Sequence, residues 1–200
     1  MRNRGKVGIA IGVVVVLALA VGLPKVYSHV TLNRSLDAAR AKITWTHPLV
    51  PKYGGVYPRP NADMQIDPAG TYKVFADVVT AKHAEGQPYK SLQRLARLVN
   101  LMGYAKVPPE NVHIVALLEK QARTGGLNNE TYRRLYGTDN PNLKLLHDLK
   151  KAGVKLMVCS QAVAELGLQE SDLDPSITVT LSGLSDTAIY GGQGYAFLEL

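Results

Sequence analysis

From Tyr72 onward the chain alternates short β-branched runs with segments of helical period, and this alternation restricts the fold more than any other feature. "YKVFADVVT" suits a buried strand. After a loop, "SLQRLARLVNLMGYA" places Leu92, Leu95, Val99 and Met102 on one helical face and turns Lys90, Arg94 and Arg97 to solvent. "NVHIVALLE" reads as a second strand, "NETYRRLY" and "NLKLLHDLKKAG" as helices, and "VKLMVC" as a third strand. "SQAVAELG" then reads as a helix, "SITVTL" as a fourth strand and "GYAFLEL" as a last one. Parallel neighbours require crossover connections, so this order predicts an α/β domain over residues 71–200, a mostly parallel sheet with helices on both faces.

Two segments precede that domain. Residues 29–70, with "THPLVPKYGGVYPRPNADMQIDPAG", concentrate proline, glycine and tyrosine without a period of 2 or 3.6, and read as an extended arm. Its tyrosines and Trp45 argue that the arm lies against the domain or a neighbouring subunit; a membrane spacer is the alternative. Residues 1–28 combine a basic start, "MRNRGK", with an uninterrupted apolar run of 17 residues, Val7 to Leu23. Such a segment is a signal peptide or an N-terminal membrane anchor. Val26 and Ser28 fit a cleavage site before His29, but Pro24 and Lys25 interrupt the approach, which favours an uncleaved anchor through residues 7–23. The positive amino end stays in the cytoplasm, so the expected location is the cell membrane with the domain facing the periplasm or exterior, or secretion to the periplasm.

Net charge argues against nucleic acid as a partner. Of the formal +7, four charges (Arg2, Arg4, Lys6 and Lys25) belong to the N-terminal segment, and subtracting them leaves +3. The sole cysteine, Cys159, excludes an internal disulfide, so stability must come from the core.

The predicted topology gives Cys159 an address. Ligands of open α/β sheets gather outside the carboxyl ends of the strands, where Cys159 ends "VKLMVC" immediately before a helix. Unpaired N–H groups at a helix start stabilise a thiolate and make the sulfur nucleophilic, and Ser160 could cap that helix while leaving the sulfur free. Asp77 and Glu119, near the ends of the first two strands, could approach the same rim, as could Ser160 and Gln161. The competing reading is a buried, inert cysteine, since free cysteine is among the most buried residue types.

"GVKLMVCSQAVAELGLQESDL" and the closing "TVTLSGLSDTAIYGGQGYAFLEL" resemble the DsrE/DsrF-like (YchN-like) family, over about residues 72–200. The resemblance implies a sulfur-relay protein in which Cys159 accepts sulfur as a persulfide, a possible sulfurtransferase that assembles as a homo-oligomer. Many relatives have a His-Gly pair after the second strand, where this chain reads Leu117, Leu118, Glu119. The leading expectation is therefore an extracytoplasmic sulfur carrier, its partners a thiol or sulfane-sulfur donor or acceptor protein. The alternatives are a non-enzymatic binding or assembly module with a structural cysteine, and a thiol redox sensor.

No cofactor-binding or metal-binding motif accompanies these residues. "GGQG", Gly191 to Gly194, lies between helix and strand, where its amides are not aimed as a phosphate cradle, and reads as a helix stop. His29, His47, His83, His113 and His147 show no paired ligand spacing. "NET" at Asn129 matches a glycosylation sequon, but Asn129 reads more simply as a helix cap.

Overall fold

The computed structural model describes residues 35–200, and the chain divides into two units between Thr44 and Trp45. The apolar segment 7–23 and the cleavage position before His29 lie outside the described residues. Among those residues, no helix is long and apolar enough to cross a membrane. In the first unit, residues 35–41 form a helix, α1, on which Arg40 pairs with Asp37 at 3.3 Å.

The second unit, Trp45–Leu200, is a five-stranded parallel sheet of order β4-β3-β2-β1-β5. Its strands are β1 (Tyr72–Val78), β2 (Val112–Leu118), β3 (Lys155–Cys159), β4 (Thr178–Thr180) and β5 (Ala196–Glu199). The helices are α2 (Lys90–Tyr104), α3 (Asn129–Tyr136), α4 (Leu143–Lys151), α5 (Ser160–Glu165) and α6 (Gly183–Gly192). Every strand read from the sequence is present, and each pairing is parallel.

Handedness distributes the helices. The chain steps from β1 through β2 and β3 to β4 in one direction, then crosses the whole sheet in reverse to reach β5. Right-handed crossovers put the helices of the first three steps on one face and that of the last on the other. On the first face Ala76, Val78, Ala116, Leu118 and Leu156 pack against Leu92 and Leu95 of α2 and Leu145, Leu146 and Leu149 of α4. Val158 on the same face meets Tyr132 of α3 and Val163 of α5. On the second face Phe75, Val115, Leu117 and Met157 receive Tyr190 of α6. One ten-residue helix is too little for five strands, and Leu181, Leu184, Ile189 and Phe197 stay exposed there, Leu184 by 87%.

Residues 45–70, expected as an arm, belong to the same compact unit as the sheet. The clamp is Asn100 of α2, whose side chain is fully buried. Its Oδ1 accepts from the N–H groups of Leu49 (2.9 Å) and Val50 (2.8 Å), and its Nδ2 donates to the carbonyls of Val50, Tyr53 and Gly54. Gly54 has φ +61°, and a Cβ there would overlap the backbone of Ala96 and Arg97, so the loop lies directly on α2.

Two cap assignments need correction. Asn128, not Asn129, caps α3 by accepting from Thr131 N–H; Asn129 instead accepts from Asn140 N–H. Ser160 does not cap α5. Cys159 holds the N-cap position without a side-chain bond, and Ser160 is the first helical residue.

Candidate functional site

Cys159 ends β3 opposite Thr180 of β4, with 7% of its surface exposed. Residues two apart on a strand share a face, which puts Cys159 with Met157 on the face covered by α6. The same alternation puts Asp77 with Phe75 and Glu119 with Leu117. Leu118 pairs with Val158, so Glu119 occupies the next register position, beside Cys159. Its backbone N–H donates to Val78 O at 2.9 Å, which carries the ladder one residue past β2.

The structure brings Asp77 and Glu119 together under the start of α6. A Cβ on Gly183, the first residue of α6, would overlap Glu119 Oε1 and approach Leu117 Cδ2 at 2.9 Å, so the helix start lies directly over this carboxyl and a side chain there would displace it. Asp186, one turn further on and 5% exposed, is the member that sequence reading missed. Its Oδ1 accepts from the Thr180 hydroxyl at 2.7 Å. Asp186 Oδ2 and Asp77 Oδ1 are buried and have no hydrogen-bond partner among the described residues. The signal for Asp186 was "SGLSD", which reads first as a helix start: Ser182 caps α6 by accepting from Leu184 N–H.

Burial pushes the Asp77 carboxyl above its usual range; Lys120 opposes the shift and Glu199 adds to it. Burial likewise raises Glu119, reinforced by Asp77 and Asp186 and opposed by Lys120. Both groups therefore hold their protons to higher pH than exposed carboxyls. Lys120 is the neighbouring cation, and its pair with Glu199 is loose at 3.5 Å.

Ser160 and Gln161 take another part. Ser160 Oγ donates to Leu181 O at 2.8 Å and Gln161 Nε2 to the same carbonyl at 3.3 Å. They tie the start of α5 to the β4–α6 loop and do not join the carboxyl cluster. Among the described residues, no group of histidine, cysteine and carboxylates is arranged to hold a metal ion.

A five-stranded parallel sheet with helices on both faces and a thiol at its carboxyl rim defines a small α/β protein. A family model matches residues 73–200, and the chain belongs to the DsrE/DsrF-like family. No curated protein matches it. Among solved structures, one that is similar is a protein of unknown function from Methanobacterium thermoautotrophicum, 19% identical, with 64% of this chain and 99% of that one covered and a TM-score of 0.47.

Proposed function

We propose that the protein carries sulfane sulfur on Cys159. The observation that supports this most is the placement of the thiol at the strand-end rim, one register position past the Leu118–Val158 pair and so next to Glu119. In the loading step the Cys159 thiolate attacks the outer sulfur of a donor persulfide. A new S–S bond forms at Sγ, the donor's S–S bond breaks, and its electron pair leaves with the donor thiolate, so the step needs no outside oxidant. The departing thiolate takes its proton from water. Unloading reverses the roles: a partner's thiolate attacks the outer sulfur and Cys159 leaves.

The apolar residues exposed around α6 support self-association through that face, which would also close the rim of the site. The basic start and apolar segment 7–23 support a location at the membrane with the α/β unit outside the cytoplasm.

The burial of Cys159 favours a second reading, a binding or assembly module in which the thiol only packs. Alkylation of the folded full-length chain separates the two. A carrier thiol reacts with iodoacetamide in the native state, at a rate that does not follow unfolding. A packed thiol reacts only as fast as the protein opens globally, and that result would remove the carrier reading.

A further inference from the structure

A concavity lies on the other side of the sheet from the Cys159 side chain, and Cys159 does not line it. Its volume is about 570 Å³. Four rings surround it in two tilted pairs: His83 with Tyr89, centroids 5.0 Å apart, and Tyr132 with Tyr136, 4.6 Å apart. Lys120 and Arg123 stand at its edge, and among the described residues no carboxylate lines it.

The floor presents an acceptor. Thr124 Oγ1 donates to Gln121 O at 3.0 Å, which commits the only proton it has. The Tyr89 hydroxyl, 2.9 Å away, must then donate to Thr124, and Tyr132 donates to Tyr89 across 3.3 Å. With its proton engaged, the Tyr132 oxygen can accept from an N–H or O–H placed in the cavity.

The wall is built in advance. Lys120 has φ +48°, a left-handed conformation uncommon for a residue with a Cβ and one that surrounding structure must enforce. Asn142 Oδ1 accepts from Tyr89 N–H at 2.8 Å, and its Nδ2 donates to Asn140 Oδ1 at 2.8 Å. Asn140 Nδ2 in turn donates to the carbonyls of Gly125 and Leu127. This buried network joins the start of α2 to the turn that carries Lys120 and Arg123. Both cations are held only by long pairs, Arg123 to Glu165 at 3.4 Å and Lys120 to Glu199 at 3.5 Å. Such pairs contribute little, so the cations are free to turn to a ligand oxyanion.

We propose that this cavity binds a nucleoside monophosphate, the base against the exposed rings of His83 and Tyr136 and the phosphate on Lys120 and Arg123. Aromatic rings accept planar bases by stacking, and guanidinium and ammonium groups are the usual partners of phosphate. Cys159 does not line this cavity, but Lys120 belongs both to it and to the carboxyl cluster of Asp77 and Glu119.

Calorimetric titration of the full-length protein with each of the four ribonucleoside 5′-monophosphates, and separately with adenosine and inorganic phosphate, tests this. At least one monophosphate should bind saturably and more tightly than adenosine or phosphate alone. Arg123→Gln should weaken that monophosphate about tenfold and leave adenosine unchanged. Tyr136→Ala should weaken both the monophosphate and adenosine and leave phosphate unchanged. Circular dichroism of both variants checks that the fold is intact. Absence of saturable binding by all four monophosphates would overturn the proposal, as would an affinity that either substitution leaves unchanged.

Discussion

Replacing Asn100 with alanine should detach the segment before β1 from the sheet domain. The side chain is completely buried, accepting two backbone N–H bonds and donating to three carbonyls. A net hydrogen bond contributes roughly 1 kcal/mol, and a buried group left unpaired costs about 1–3 kcal/mol. The two hydrogens on Nδ2 are shared among three acceptors, and the Tyr53 and Gly54 carbonyls regain water once the loop lifts. Val50 is the exception, since both its N–H and its carbonyl depend on Asn100. Loss of about 3 kcal/mol follows, or about 6–12 °C in Tm for a protein of this size. Urea denaturation gives the energy, and amide exchange gives the location: protection should fall at residues 49–54 before it falls in β1 or β2. Asn100→Asp should not rescue, because it restores the acceptors but not the donors. A loss below about 0.5 kcal/mol, the range of ordinary surface substitutions, would refute the clamp.

The raised carboxyls predict a pH dependence of definite sign. Between the ordinary pKa and the folded one, the folded state holds more protons than the unfolded state, so Asp77 and Glu119 make stability fall as pH rises through that window and keep it lowered above it. Asp77→Asn and Glu119→Gln should therefore stabilise the protein at neutral pH and flatten this part of the profile, as read by urea midpoints from pH 4 to 8. Gly183→Ala should cost about 1–3 kcal/mol through overlap with Glu119 Oε1 and Leu117, and less in a Glu119→Ala background; equal cost in both would show that the carboxyl does not lie under α6. If α6 and β5 carry self-association, Leu184→Asp should lower the mass found by light scattering while leaving circular dichroism unchanged, since Leu184 is 87% exposed in the chain.

The sheet was legible because parallel strands are buried on both faces and print continuous β-branched runs, as in Val112–Leu118. Helices α2 and α4 were legible from their apolar stripes. Helix α6 was harder to read, because it covers its face of the sheet alone and keeps Leu184 and Ile189 exposed, so its pattern carries no clean stripe. The segment 29–70 reads only as an aperiodic arm for a related reason: a loop held by one asparagine has no period to detect, so the seat of residues 49–54 on Asn100 left no local signal. At the site, strand-end position was enough to nominate Cys159, Asp77 and Glu119. Asp186 was not visible, because its place beside Glu119 depends on the crossover that carries α6 back over the sheet, which no local spacing records. Ser160 was misassigned as a cap because a serine before a helix reads as one, and only the carbonyl of Leu181 shows where its hydroxyl goes.

The central claim is that Cys159 takes up and holds a sulfur atom, and intact mass spectrometry of the full-length protein after exposure to inorganic polysulfide and desalting tests it most directly. The account predicts a gain of one sulfur atom on the wild-type chain, removed by a small thiol that restores the starting mass, and no gain on Cys159→Ser. A wild-type chain whose mass does not change, or a gain that persists in Cys159→Ser, would contradict it.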